Sequence, residues 1–203
     1  MKNLLINTRR ELMMMKETRH IELRAEQEND DLIVTGTPVV FNTPTKINDP
    51  MGSYTEVIKR NALDGVDLKD TRLLVNHNYN SIPLAKAPKT MNLWTDEKGL
   101  NMRAVLPNTE EGRSVYTAVS RGDLTGMSFS FTCDTAGSHY NVEQRTRTIT
   151  KINKLLECSV VNFPAYEQAS VEARNQMQEA EQNERLKNDT KIMINQILAK
   201  DVQ

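Results

Sequence analysis

The chain has 203 residues, 38% hydrophobic and 26% charged, enough for one sizeable domain with segments that add little to a core. A net charge of −1 excludes a global pull toward nucleic acid or an anionic membrane, and 5% aromatic content offers no stacking platform for bases. Two cysteines, Cys133 and Cys158, are too few for a disulfide framework and lack metal-ligand spacing, so a reducing, cytoplasmic setting with neither metal nor cofactor is expected.

Residues 1–18 read as a basic, Met-rich arm whose apolar clusters are too short for a signal segment or a membrane span. HIELRAE (20–26) alternates as a half-buried strand does. LIVTGTPVVF (32–41) is a second strand, bent or at an edge near Gly36 and Pro38. After a loop over 42–53, YTEVIKRNALDGV gives a short strand and a helical turn near Asn61–Leu63. TRLLVNHN (71–78) is a buried strand with a polar end.

Residues 81–107 form strands around a tight turn, Asp96-Glu97-Lys98-Gly99, with Gly99 free to take positive φ. A helix follows, with Asn108 as N-cap, Glu111 completing a capping box, Val115, Ala118 and Val119 as its apolar stripe, and Gly122 as its left-handed terminator. GMSFSFTC is a strand, DTAGSHYN a loop, and QRTRTITKINKLLECSVVNF two more strands that end at Pro164. Beyond about Arg174 the chain lacks Gly and Pro and is rich in Glu, Gln, Asn and Lys, the composition of a helical or disordered tail. The expected division is an arm (1–18), a domain (19–173) and a tail (174–203). Strands and helices do not alternate regularly, which favours a mainly β, α+β domain with a closed or half-closed barrel over a doubly wound sheet.

Three side chains stand out as chemistry. His77 ends a buried strand, where an imidazole is held firmly yet reachable; a merely hydrogen-bonded strand-end histidine is the plainer reading. His20 and His139 are the other histidines, the latter in a polar loop. Glu157 lies among Leu155, Leu156, Cys158, Val160 and Val161, and a carboxylate there needs a cation or a strong donor. Ser128 alternates with Met127 and Phe129, and is either the wet face of a strand or a nucleophile on a rigid support. Ser130 shares its face and reads as a bystander. No G-x-S-x-G elbow is present, because position 130 is Ser. Together a serine, a histidine and an acid form the set that acyl transfer requires. A cysteine nucleophile, Cys133 or Cys158 with His77 or His139, is an alternative.

The order of these segments resembles the prohead (procapsid maturation) serine proteases of tailed bacteriophages. The resemblance rests on Arg121-Gly122-Asp123-Leu124-Thr125-Gly126-Met127-Ser128-Phe129-Ser130-Phe131 and on the stretch from Leu155 to Tyr166. It is supported by Leu74 to His77, by the turn from Asp96 to Leu100, and by Val34-Thr35-Gly36 with Phe41. It runs from about residue 19 to 173 and implies a herpesvirus assemblin-like β-barrel surrounded by helices. It implies His77 as general base, Ser128 as nucleophile and Glu157 as the member that orients the imidazole. The implied function is an endopeptidase that processes scaffold and major capsid protein, and often itself, inside the immature phage head in the host cytoplasm. Those two proteins are the implied partners, with no nucleic acid or membrane, and a homodimer is an expectation by analogy. The alternative is an assembly component of the same fold without activity. One departure from the family pattern is Asn78, where an aspartate is usual; with no glycine following, it puts the loop after His77 in question.

Overall fold

The computed structural model describes residues 17–18, 21–28, 30–47, 52–162 and 171–200. His20 and Pro164, together with most of the N-terminal arm, lie outside the described residues.

Two sheets carry the described residues. The larger has nine strands: β1 (Glu17–Thr18), β2 (Ile21–Glu28), β3 (Asp31–Val40), β6 (Arg72–Val75), β7 (Ala85–Lys86), β8 (Met91–Thr95), β9 (Gly99–Leu106), β10 (Gly126–Thr132) and β13 (Lys154–Val161). Its order is β7-β6-β13-β10-β2-β3-β9-β8, with β1 also on β10. Every pairing is antiparallel except β13 with β6. The smaller sheet runs β11 (Ser138–Asn141), β12 (Thr146–Ile149), β5 (Tyr54–Ile58), β4 (Thr45–Ile47). Two α-helices accompany the sheets among the described residues: α1 (Glu110–Arg121) and α2 (Val171–Lys200). The protein is thus mostly β with helices.

The main core forms because strand alternation sends one set of side chains inward. Met127, Phe129 and Phe131 of β10 are fully buried beside Leu155, Cys158 and Val160 of β13 and Leu73 of β6. The rings of Phe129 and Phe131 stack at 5.3 Å. Val115 and Val119 of α1 close over the same cluster. A smaller cluster joins Ile47, Tyr54 and Tyr140 to Met177 of α2.

Local chemistry explains the departures from expectation. α1 begins one residue late: Thr109, not Asn108, is the N-cap, and its side chain accepts from the Gly112 N–H at 3.3 Å. Asn108 instead accepts from Arg113 Nη1 at 2.8 Å. Gly112 must be glycine because a Cβ there would stand 2.0 Å from the Pro107 carbonyl oxygen, so the glutamate of a capping box cannot occupy the position. Gly122 is left-handed, φ 78°, and ends the helix as expected. Gly99 is not at positive φ; it is required by close approach, since a Cβ would fall 1.9 Å from the Val39 oxygen. The bend in β3 is a register shift between Gly36 and Val39 in an internal strand, not an edge. His139 sits on β11 rather than in a loop, and is exposed.

Candidate active site

The site is assembled by three neighbouring strands. β10 pairs with β13 so that Ser128 faces Ser159 and Ser130 faces Glu157. The four side chains share one face, opposite Met127, Phe129 and Cys158. β6 then lies parallel to β13, with Leu74 beside Ser159 and Val75 beside Val160. The Asn76 N–H extends that ladder to the Val160 carbonyl at 2.9 Å.

At Asn76 and His77 the chain leaves the sheet through two left-handed residues, φ 49° and 56°. Such a pair of non-glycine residues costs on the order of 1–3 kcal/mol each and persists only where its surroundings hold it. Here they do. Asn76 Oδ1 accepts from the Asn162 N–H at 2.9 Å, and the His77 N–H donates to Ser159 Oγ at 3.2 Å. The turn aims the imidazole across β13, where His77 Nδ1 meets Glu157 Oε1 at 2.7 Å. The departure at Asn78 is accommodated: its Oδ1 accepts from the Asn80 N–H at 3.0 Å, and its carbonyl accepts from Ser81 Oγ at 2.9 Å. A side-chain amide oxygen supplies this turn as well as a carboxylate would.

Glu157 is fully buried and surrounded by donors. Oε1 receives His77 and the Ser130 hydroxyl, and Oε2 receives the Ser159 hydroxyl at 2.6 Å. Burial, the largest single influence, pushes its carboxyl up; the His77 bond and charge and the two hydroxyls together bring it below the ordinary carboxylate value. Glu157 is therefore an anion at neutral pH. The Tyr79 phenol, though its side chain is half exposed, is pushed up to about 12 by partial desolvation and by the Glu157 charge.

Ser128 is buried, not the wet face of a strand, and its Oγ makes no hydrogen bond among the described residues. Burial forces a hydroxyl to find a partner or to be kept without one for a reason. Of the three residues picked out in the sequence, the structure joins His77 to Glu157 directly and sets Ser128 two register positions away on the same face. Ser130, read as a bystander, and Ser159 are instead ligands of the acid. Their signal was the period of two: 130 shares a face with 128, and 159 shares one with 157.

Cys158 points into the core, where burial, with the Glu157 charge behind it, pushes its thiol well above the ordinary value. Cys133 donates to the Lys151 and Asp134 carbonyls at 3.2 and 3.3 Å.

The sequence profile of the caudovirus prohead serine proteases matches residues 19–183. The chain belongs to that family. The prohead protease of Enterobacteria phage HK97 is 31% identical over 155 residues, 75% of this chain and 64% of that protein. The chain thus spans a little under two thirds of the length of this relative. The solved structure of the bacteriophage T4 capsid assembly protease covers 73% of this chain and 99% of its own, at 13% identity and a TM-score of 0.44. Among the described residues, no helix is long and apolar enough to cross a membrane.

Proposed function

We propose that this family member is a serine endopeptidase acting through His77, Ser128 and Glu157. The observation that carries the reading is the 2.7 Å bond between His77 Nδ1 and the buried, charged Glu157, with Ser128 beside them on one sheet face. With the Nδ1–H donated to Glu157, the neutral ring presents Nε2 as its basic nitrogen. Ser128 Oγ would attack a peptide carbonyl while Nε2 takes its proton, and the imidazolium would pass that proton to the leaving amine. Water would then release the acyl group from Ser128 by the same relay in reverse.

The substrates we assign are the phage scaffold and major capsid protein, inside the immature head, with the chain itself as a further substrate. The assemblin-like barrel belongs to this proposal. It is supported by the ends of the ladder, β7 and β8, being joined by a turn in which the Thr90 N–H donates to the Lys86 carbonyl at 3.0 Å. So does the detachable tail beyond residue 174, and so does a homodimer.

Co-expression with the cognate capsid and scaffold proteins tests the reading. The wild type should shorten them, with N-terminal sequencing locating the cut, and Ser128→Ala should leave them whole. Equal processing by both would sink the enzyme and leave an inactive assembly component.

A further inference from the structure

Neither serine neighbour of Glu157 is needed to complete a triad, yet both are fully buried and both spend their hydroxyl on that carboxylate. Their placements differ in a telling way. Ser130 reaches Oε1, the same oxygen that His77 Nδ1 uses, from the neighbouring strand β10. Ser159 reaches Oε2 from two residues along Glu157's own strand. Ser159 Oγ also accepts the backbone N–H of His77, at 3.2 Å. One hydroxyl therefore ties the acid to the left-handed backbone that aims the base.

A carboxylate on a strand can rotate about its terminal torsion, which is broad and shallow. A single bond to the imidazole would leave that rotation free, and a misaligned carboxylate orients the ring poorly. Donors on both oxygens, arriving from two strands, leave it one setting. We infer that Ser130 and Ser159 are positioning residues that clamp the Glu157 carboxylate against the His77 ring. This rests on the protease reading for its consequence but not for its geometry, which the bonds to Glu157 define whether or not peptides are cut.

Two isosteric variants at each position separate the hydroxyl from its volume: Ser130→Thr against Ser130→Val, and Ser159→Thr against Ser159→Val. The first readout, on the full isotope-labelled chain, is the proton NMR signal of the His77 Nδ1–H, assigned by its loss in His77→Asn. A bond to a clamped carboxylate places it far downfield and protects it from exchange. The expected result is that each Thr variant keeps the signal, while each Val variant shifts it upfield or broadens it away. An unchanged signal in both Val variants would overturn the inference.

The second readout is the labelling rate of Ser128 by a fluorophosphonate, with Ser128→Ala as blank. Val variants should label on the order of tenfold more slowly than Thr variants at equal folded fraction. Where the wild type labels, equal rates for the Thr and Val pairs would also overturn it. A wild type that shows the downfield proton but never labels would count against the protease reading alone, because the clamp is read by the proton.

Discussion

Glu157 is the acid of the proposed triad. It is a buried anion held by one imidazole and two hydroxyls, so removing its charge and removing its donors have different consequences. Glu157→Gln keeps the shape but not the charge, and should lower kcat/KM on the order of 10³–10⁴-fold in a peptide-cleavage assay with little change in fold by circular dichroism. Its effect on stability has a definite sign. The folded carboxyl lies below its ordinary value, so the unfolded chain takes up the proton first as pH falls. Its contribution is complete above the ordinary carboxylate range near 4 and is lost as pH falls through the lower folded value. Urea midpoints measured from pH 6 down to pH 3 should fall more steeply for the wild type than for Glu157→Gln. Arg147 offers a contrast far from chemistry. Its guanidinium is fully buried and pairs with buried Glu56 at 3.2 Å. Arg147→Met leaves Glu56 buried without that cation and should cost about 3–5 kcal/mol by chemical denaturation, with Glu56→Gln combined in the same chain recovering part of it.

Among the elements, β10 does two things at once. Its apolar face anchors the core and its serine face carries the proposed site, so the rigidity of one would be the precision of the other. Phe129→Ala should destabilise by about 3–5 kcal/mol. Where the variant still folds, Ser128 labelling should slow, because the strand that carries it has lost its anchor. Helix α1 makes a milder test: Thr109→Ala removes the observed cap and should cost about 1 kcal/mol, while Asn108→Ala removes only an exposed contact to Arg113 and should cost less. The ordering of these two variants in thermal melts decides which residue is the cap.

For the whole molecule, α2 is the element whose role is least settled by its own sequence. The boundary expected near Arg174 falls inside this helix, and Met177, beyond it, is buried against Ile47, Tyr54 and Tyr140 of the smaller sheet. Residues 185–195 are exposed, with Leu186, Ile192, Met193 and Ile194 among them. Deleting 184–203 should therefore change the melting temperature by only a few degrees. Deleting from 174 should lower it further by uncovering the two tyrosines, the loss of one large buried side chain being about 2–5 kcal/mol. Equal melting of the two truncations would mean that Met177 is not a structural contact and that a tail detaches at 174.

Much of this protein was legible along the chain. Alternation located β2 and β10, and the apolar run ending in polar residues located β6, because a buried strand must send side chains to fixed sides every second residue. Glu157, out of place among apolar neighbours, marked the acid, and strand-end placement marked His77. What the chain could not say was which side chains meet. Ser130 and Glu157 are 27 residues apart, and His77 and Glu157 are 80 apart. Their contact depends on the register of β10 on β13 and on β13 running parallel to β6, choices made by the packing of Phe129, Cys158 and Leu73 on the far face. The need for Gly99 likewise came from a neighbouring strand's carbonyl and not from its own torsion, and the burial of Arg147 from a partner 91 residues away. Local pattern names the candidates; the pairing of distant strands turns a bystander serine into a ligand of the acid.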